Sequence, residues 1–544
     1  MLSQNRGYQA ANLSTFRADA PSIKKCKDTK HLKVQGAILM VGQTRRSFLK
    51  GSAAAASVIG MRPVAALAQT RRMDELIDED ATGLAERLRA REFTQAELVE
   101  TFIRRIEVMN PALNFMTNSA FDRARLKANT IPLDAPFAGV PILMKDMIDI
   151  GGLPRTDESR FMLSNVPERN VEYVDGVEAA GFNILGQTNV PELASFIITN
   201  NDVFGATKNP WNLGYSVFSS SGGSAVAVAA GVVPMAHGTD GAGSNRLPPS
   251  ATGIFGMKPS RRRMRSGEAN GTHDVAKTNQ MLSRTVRDSA LAFSLTESLS
   301  GDPFPPVGFV SGPSGRRLKV GLVVDDGKLI TTDPEVLEAQ RKVALLMQNL
   351  GHEVEETPWP VDANVMANAY SNFFGGKLGA LKSAVEGATG KSVMESGLLT
   401  RFLASNIEAS LEISPEEIAE GRAFLDNLVP LFADVFQKYD VLLAPVAPVV
   451  APPLYEHTPD ELFSYELSQY VAARLKFTSP INFAGCPAMS VPLSWSADLG
   501  IPIGSHFIAA EGQDRLLYEL AYELEEARPW RNIWSPFSLK YVPV

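Results

Sequence analysis

The segment SSSGGSAVAVAAG (219–231) sets the strongest condition on how this chain can fold. Its AVAVAA part carries no side chain larger than valine, so a helix built from it is apolar all round and lets a neighbouring backbone come close. Such a helix belongs in a packed interior, not on a surface. Upstream lies an apolar strand-like run, GVPILMKD (139–146), and downstream a glycine-rich turn, GTDGAGSNRLP (238–248). Strand, turn, buried helix and turn in that order predict an α/β layered fold around a mainly buried sheet.

The rest of the chain fits that reading. Leu84 and Leu88 open a helical region. Thr94 with Glu97 forms a capping box, after which Leu98, Val99, Phe102, Ile103 and Ile106 share one helical face until Asn110-Pro111 should stop it. Val140 to Met144 reads as a buried strand delivering Lys145 at its end, and Asn183 to Gly186 reads as another. Ser224 is expected to cap the small-residue helix, which Gly231 ends. Further strands are expected at 318–324, 440–445 and 487–492, and amphipathic helices at 333–349 and 512–527. No Pro/Gly/Ser linker divides 69–544, which predicts one domain. In such sheets the binding crevice lies at the carboxyl ends of strands, where Lys145 and Ser244 are expected.

The N-terminus reads as an address. Thr44-Arg45-Arg46-Ser47-Phe48-Leu49-Lys50, a short apolar stretch and Ala66-Leu67-Ala68 are the parts of a Tat export signal over 40–68. The stretch is too short and alanine-rich to act as a stable membrane anchor. Met40 stands where a start is expected, so 1–39 reads as an extension from an upstream start and the mature chain as beginning near Gln69. The expected setting is the periplasm, with the Tat translocase as a partner during export. Cleavage removes Cys26 and leaves Cys486, so no intramolecular disulfide is expected. A net charge of −7 argues against a nucleic-acid surface, and the run Arg261-Arg262-Arg263 with Arg265 reads as a solvated turn. Monomer and homodimer are both open.

Chemistry is carried by Lys145, Ser220 and Ser244. A serine hydroxyl is a poor nucleophile until a base takes its proton. Lysine can be that base only where desolvation or nearby positive charge lowers its pKa. Ser220 could bridge Ser244 to such a lysine, and the N–H groups of Gly241, Ala242, Gly243 and Ser244 form a natural oxyanion hole. No Walker lysine follows the serine-rich loop, no GxSxG elbow occurs, and no HExxH or clustered His/Cys set implies a metal; no cofactor is expected.

These three segments, with their separations, resemble the amidase signature family, whose hallmark is Lys-Asp after an apolar strand, GGSSGGS, then D-x-G-G-S-I-R-x-P. The likeness extends through GQTNVPELA (186–194), FGATKNPWNLG (204–214), GIFGMKPS (253–260), SRTVRD (283–288) and INFAGCPAMSVPL (481–493). It implies an α/β/α sandwich with one large twisted mixed β-sheet covered by helices. It also implies Lys145 as general base, Ser220 as bridging serine after a cis Ser219–Ser220 bond, and Ser244 as acyl-forming nucleophile on a small-molecule amide. FGATKNPWNLG, AAEGQDRLL and LEEARPW are most similar to the branch of nylon-oligomer cyclic-dimer hydrolases.

Departures fall around the site. Phe218 and Ser219 replace two glycines and are expected to narrow or line the acyl pocket. Ala242 replaces a glycine, which requires a negative φ there. Asn245 replaces Ile or Val, Arg262 replaces a glycine, and Gln280-Met281 replace Gly-Pro. Three rivals stand beside this reading. The glutamine-hydrolysing subunit of tRNA-dependent amidotransferases, which resembles the family too, is set aside by the expected export and the lack of a basic surface. The other two are weighed against the structure. One is a Ser-His-Asp hydrolase using His237, which reads better as a packed residue. The other is a weak or inactive relative that binds amides in the periplasm.

Overall fold

The computed structural model describes residues 75–301 and 303–542. The extension at 1–39 and the export signal at 40–68 lie outside the described residues.

Eleven named strands form two ladders. The first joins β1 (Met116–Ser119), β2 (Pro141–Lys145), β3 (Asn183–Thr188), β4 (Met235–Asp240) and β6 (Thr278–Ser283) in the order β1-β3-β2-β4-β6. The second joins β5 (Gly256–Lys258), β7 (Lys319–Val324), β8 (Glu353–Pro358), β9 (Val441–Pro445), β10 (Ala488–Trp495) and β11 (Pro502–Ala509) in the order β5-β10-β11-β9-β7-β8. Phe255 and Ser283 pair across the seam, exchanging N–H···O bonds of 3.0 and 3.3 Å. The expected large mixed sheet is therefore two ladders stitched at one bridge. β2 runs parallel to β3 and β4, while β1 and β6 are antiparallel. All residues of β2, β3 and β4 are buried, as in a parallel sheet covered on both faces, and their polar members, among them Gln187, His237 and Asp240, are hydrogen-bonded.

The helices that bear on the site are α1 (Gln95–Leu113), α2 (Gly222–Ala229), α3 (Leu247–Thr252), α4 (Ala363–Thr389), α5 (Arg401–Ser410), α6 (Pro415–Asp426), α7 (Tyr465–Arg474), α8 (Ser479–Ala484) and α9 (Asp514–Ala527). Among the described residues no helix is long and apolar enough to cross a membrane.

The Thr94–Glu97 capping box is present. α1 does not stop at Asn110-Pro111 but runs on to Leu113, ending at Asn114 with φ +53°. Asn110 explains the continuation: its Oδ1 accepts the N–H groups of Phe115 and Met116, both at 2.9 Å, and so holds the exit to β1. α2 begins two residues before the expected cap, at Gly222. A Cβ on Gly223 would lie 2.5 Å from both Asn189 N and Phe115 O, so only glycine admits that approach. Ser224 is inside the helix; its hydroxyl donates to His237 O at 2.7 Å and lies 2.7 Å from Thr188 Oγ1, tying α2 to β4 and β3. The basic run is not wholly solvated either. Arg263 turns inward and its Nε meets Asp514 Oδ2 of α9 at 3.1 Å. Cys486 is a free, buried thiol.

Candidate active site

Lys145 is the last residue of β2 and is fully buried, at 0% exposure. Its Nζ lies 2.6 Å from Ser220 Oγ, 2.8 Å from Thr239 Oγ1 and 3.2 Å from Ser221 Oγ. Burial, aided by the charge of Lys277, pushes its pKa well below 10.5. Ser220 stands at the mouth of α2, 4% exposed, and the Ser219–Ser220 peptide is cis. Its Oγ is 2.9 Å from Ser244 Oγ, and its N–H donates to the same oxygen at 2.8 Å. Ser244 sits in the turn between β4 and α3 and is partly accessible. The three expected residues therefore form one continuous chain from a sealed amine to an open hydroxyl, at the carboxyl ends of two neighbouring parallel strands.

A buried ion pair shapes the turn that carries Ser244. Arg246 places Nε 2.9 Å from Asp240 Oδ2 and donates through Nη2 to Oδ1 at 3.0 Å, a two-pronged contact with both residues fully buried. Asp240 also accepts the N–H groups of Gly243 at 2.7 Å and Asn245 at 3.1 Å, and Asn482 Nδ2 of α8 at 2.9 Å. Burial alone would raise the Asp240 pKa, but Arg246, Lys258 and Asn482 together hold it well below the usual carboxylate range. Sequence reading missed Asp240, Arg246 and Asn482 as site-shaping groups. The signal was available for the first two, because the motif D-x-G-G-S-I-R-x-P places its Asp and Arg at opposite ends of one turn.

Several expectations change in detail. The Gly243 N–H points at Asp240, which narrows the expected oxyanion set to Gly241, Ala242 and Ser244. Ala242 is not among the positive-φ residues, so its methyl is tolerated, whereas Gly243 has φ +140°. Phe218 adopts φ +57° and is 1% exposed, its ring packed in the apolar cluster of Phe196, Leu247 and Ala251. Ser219 donates its hydroxyl to Phe196 O at 2.5 Å. These two side chains thus build the wall behind the turn and offer no open group at its mouth. Asn245 is buried and lies against β4, its Nδ2 donating to Gly238 O at 3.4 Å. His237 is fully buried, its Nε2 is 3.2 Å from Asn279 Oδ1, and burial drops its pKa to about 3. It makes no contact with Ser244, which removes the geometric basis for a histidine triad. Among the described residues no group of three or more His, Cys, Asp or Glu side chains is placed to hold a metal ion.

Comparison with known proteins decides the family. The family model described as Amidase matches residues 97–518. The chain belongs to the amidase family. This amidase is 35% identical over 470 residues to the AmiC protein of Mycobacterium tuberculosis, covering 85% of this chain and 97% of that protein. It is 32% identical over 495 residues to the 6-aminohexanoate-cyclic-dimer hydrolase of Paenarthrobacter ureafaciens, covering 83% and 95%. The solved structure of 6-aminohexanoate cyclic dimer hydrolase complexed with substrate superposes with a TM-score of 0.76 at 29% identity, over 85% of this chain and 99% of that one. The amidase is a hydrolase acting on amides, and none of these relatives favours a purely amide-binding role.

Proposed function

We propose that Ser244 attacks the carboxamide carbonyl and forms an acyl-enzyme, with Ser220 as proton relay and Lys145 as general base. The observation carrying this reading is the unbroken contact Lys145 Nζ–Ser220 Oγ–Ser244 Oγ, at 2.6 and 2.9 Å. A neutral lysine amine has two N–H donors and one lone pair. Thr239 and Ser221 can accept the two hydrogens, and the lone pair is left for the Ser220 O–H. Ser220 Oγ in turn accepts from the Ser244 O–H, so the proton released on attack travels to Lys145. The developing oxyanion rests on the N–H groups of Gly241, Ala242 and Ser244. Lys145 then returns its proton through Ser220 to the departing nitrogen as the C–N bond breaks. Water, activated by the same relay, cleaves the acyl-enzyme.

Linear, cyclic and aryl amides form the panel for assigning the substrate, since neighbours bear the names cyclic dimer hydrolase and aryl acylamidase. Turnover of any of them by the full chain should vanish in Ser244→Ala; undiminished turnover in that variant refutes the nucleophile. We also propose that the chain is exported to the periplasm by the twin-arginine route. A reporter fused behind residues 40–68 should be exported, and replacing Arg45 and Arg46 by Lys should trap it in the cytoplasm.

A further inference from the structure

The turn between β4 and α3 contains a glycine that neither backbone nor packing demands. Glycine is required where φ is positive or where a Cβ would strike a neighbour. Both reasons recur close to Ser220 and Ser244. A Cβ on Gly222 would strike Thr199, and one on Gly238 would strike Asn245. On Gly223 it would lie 2.5 Å from Asn189 N, and on Gly243, at φ +140°, 2.6 Å from Thr478 Oγ1. Gly241 is different. It is not among the positive-φ glycines, and apart from its two chain neighbours no heavy atom of the described residues lies within 4 Å of where its Cβ would stand. The motif D-x-G-G-S leaves this position free, and the chain fills it with the smallest residue.

The space beside Gly241 opens on the accessible side of the turn. Asp240 and Gly243 are buried, whereas Gly241, Ala242 and Ser244 are partly accessible. Ala242 packs its methyl against the apolar cluster that holds Phe218 and Leu247. Residues 240–245 fold about one carboxylate, because the N–H groups of Gly243 and Asn245 both donate to Asp240, and this keeps Gly241 beside the serine. The next step rests on the acyl-enzyme mechanism proposed above. There the Gly241 N–H binds the carbonyl oxygen, so the two groups bonded to the carbonyl carbon lie next to the Gly241 α-carbon. We propose that Gly241 is a specificity-determining residue whose missing side chain admits hindered amides, those with a branched or ring carbon bonded directly to the scissile carbonyl or to its nitrogen.

The test compares kcat/KM for the full-length parent, Gly241→Ala and Gly241→Val on two graded series. One is the anilides of acetic, isobutyric and pivalic acids; the other is the acetamides of methylamine, isopropylamine and tert-butylamine. Each variant keeps the N–H at 241, so the readout is the ratio of hindered to unhindered kcat/KM within one protein, not the rate itself. In at least one series that ratio should fall about ten-fold in Gly241→Ala, and further in Gly241→Val. Ala242→Gly should leave the ratio at its parental value, since that methyl packs behind the turn. Gly241→Ala should melt at or above the parental temperature, because no clash opposes it and the unfolded chain loses freedom. The proposal is overturned by an unchanged ratio in both Gly241 variants, by equal loss across both series (complete loss included), by a lower melting temperature for Gly241→Ala, or by a parent that turns over the unhindered amides alone. A parent inactive on every member of both series is a separate result: it refutes the amide-hydrolysing mechanism, and this inference falls with it.

Discussion

Replacing Arg246 by Met tests what holds the Ser244 turn in place. Methionine keeps most of the buried stem and removes the cation and its donors. Asp240 would keep only the Gly243 and Asn245 N–H groups and Asn482, and Thr478 O and Asn482 Oδ1 would lose donors now at 3.0 and 2.6 Å. Breaking a buried pair from one side costs about 3–5 kcal/mol, because a charge is left unpaired away from water. The folded Asp240 carboxyl sits below its reference of 3.8, so its stabilising contribution is present above that pH and fades as pH falls through the folded value. The difference between parent and variant should therefore be largest near neutrality and shrink in acid. Loss of the clamp also lets the turn drift, and displacement of a reacting group by about 1 Å costs on the order of 10²-fold in kcat. Thermal and denaturant unfolding at several pH values, run alongside kcat on one preparation, measure both effects. Arg246→Lys, which retains charge without the fork, should fall between them. If Arg246→Met unfolds within about 1 kcal/mol of the parent and keeps its kcat, the clamp argument is wrong.

Three further outcomes are expected. Lys145→Ala should lower kcat/KM by roughly 10⁴-fold or more, while His237→Ala should lose stability yet keep most activity; the reverse pattern would restore the histidine mechanism. Because only the neutral amine accepts a proton, kcat/KM should rise with pH through one limb centred well below 10.5, and a flat profile would remove Lys145 as the base. Gly243→Ala places a Cβ 2.6 Å from Thr478 Oγ1 at φ +140°, so the turn must shift and kcat should drop with little change in expression; parental kcat would show that the turn tolerates displacement.

The contact among Lys145, Ser220 and Ser244 was legible because these residues sit in segments whose composition admits few folds. An apolar strand ending in lysine, a glycine pair opening a helix of small residues, and a strand-to-turn glycine cluster each state their local geometry. The carboxyl ends of β2 and β4 then bring Lys145 and Ser244 together. What escaped notice has no local signature. Thr239 and Ser221 complete the surroundings of Lys145, yet a threonine in a strand looks like any other. Asn482 and His506 reach the Asp240–Arg246 pair from more than 230 positions away in the chain. Ser224 was misjudged as a cap because its hydroxyl was assigned to its own helix, when it bridges two strands. α1 outran its proline because Asn110 organises the chain beyond it, through side-chain bonds that periodicity does not report.

The depth of Lys145 has a consequence for chemical labelling. Its amine lies beneath Ser220 and Thr239 with no surface of its own, while the Ser244 oxygen opens outward. Aldehydes used in reductive alkylation decorate surface lysines and will pass this one by, so reductive methylation should leave turnover intact. Phosphonylating agents and other carbonyl-mimicking electrophiles meet the outer hydroxyl first. The fold thus divides a single hydrogen-bonded chain into a partner that reagents can reach and one that they cannot.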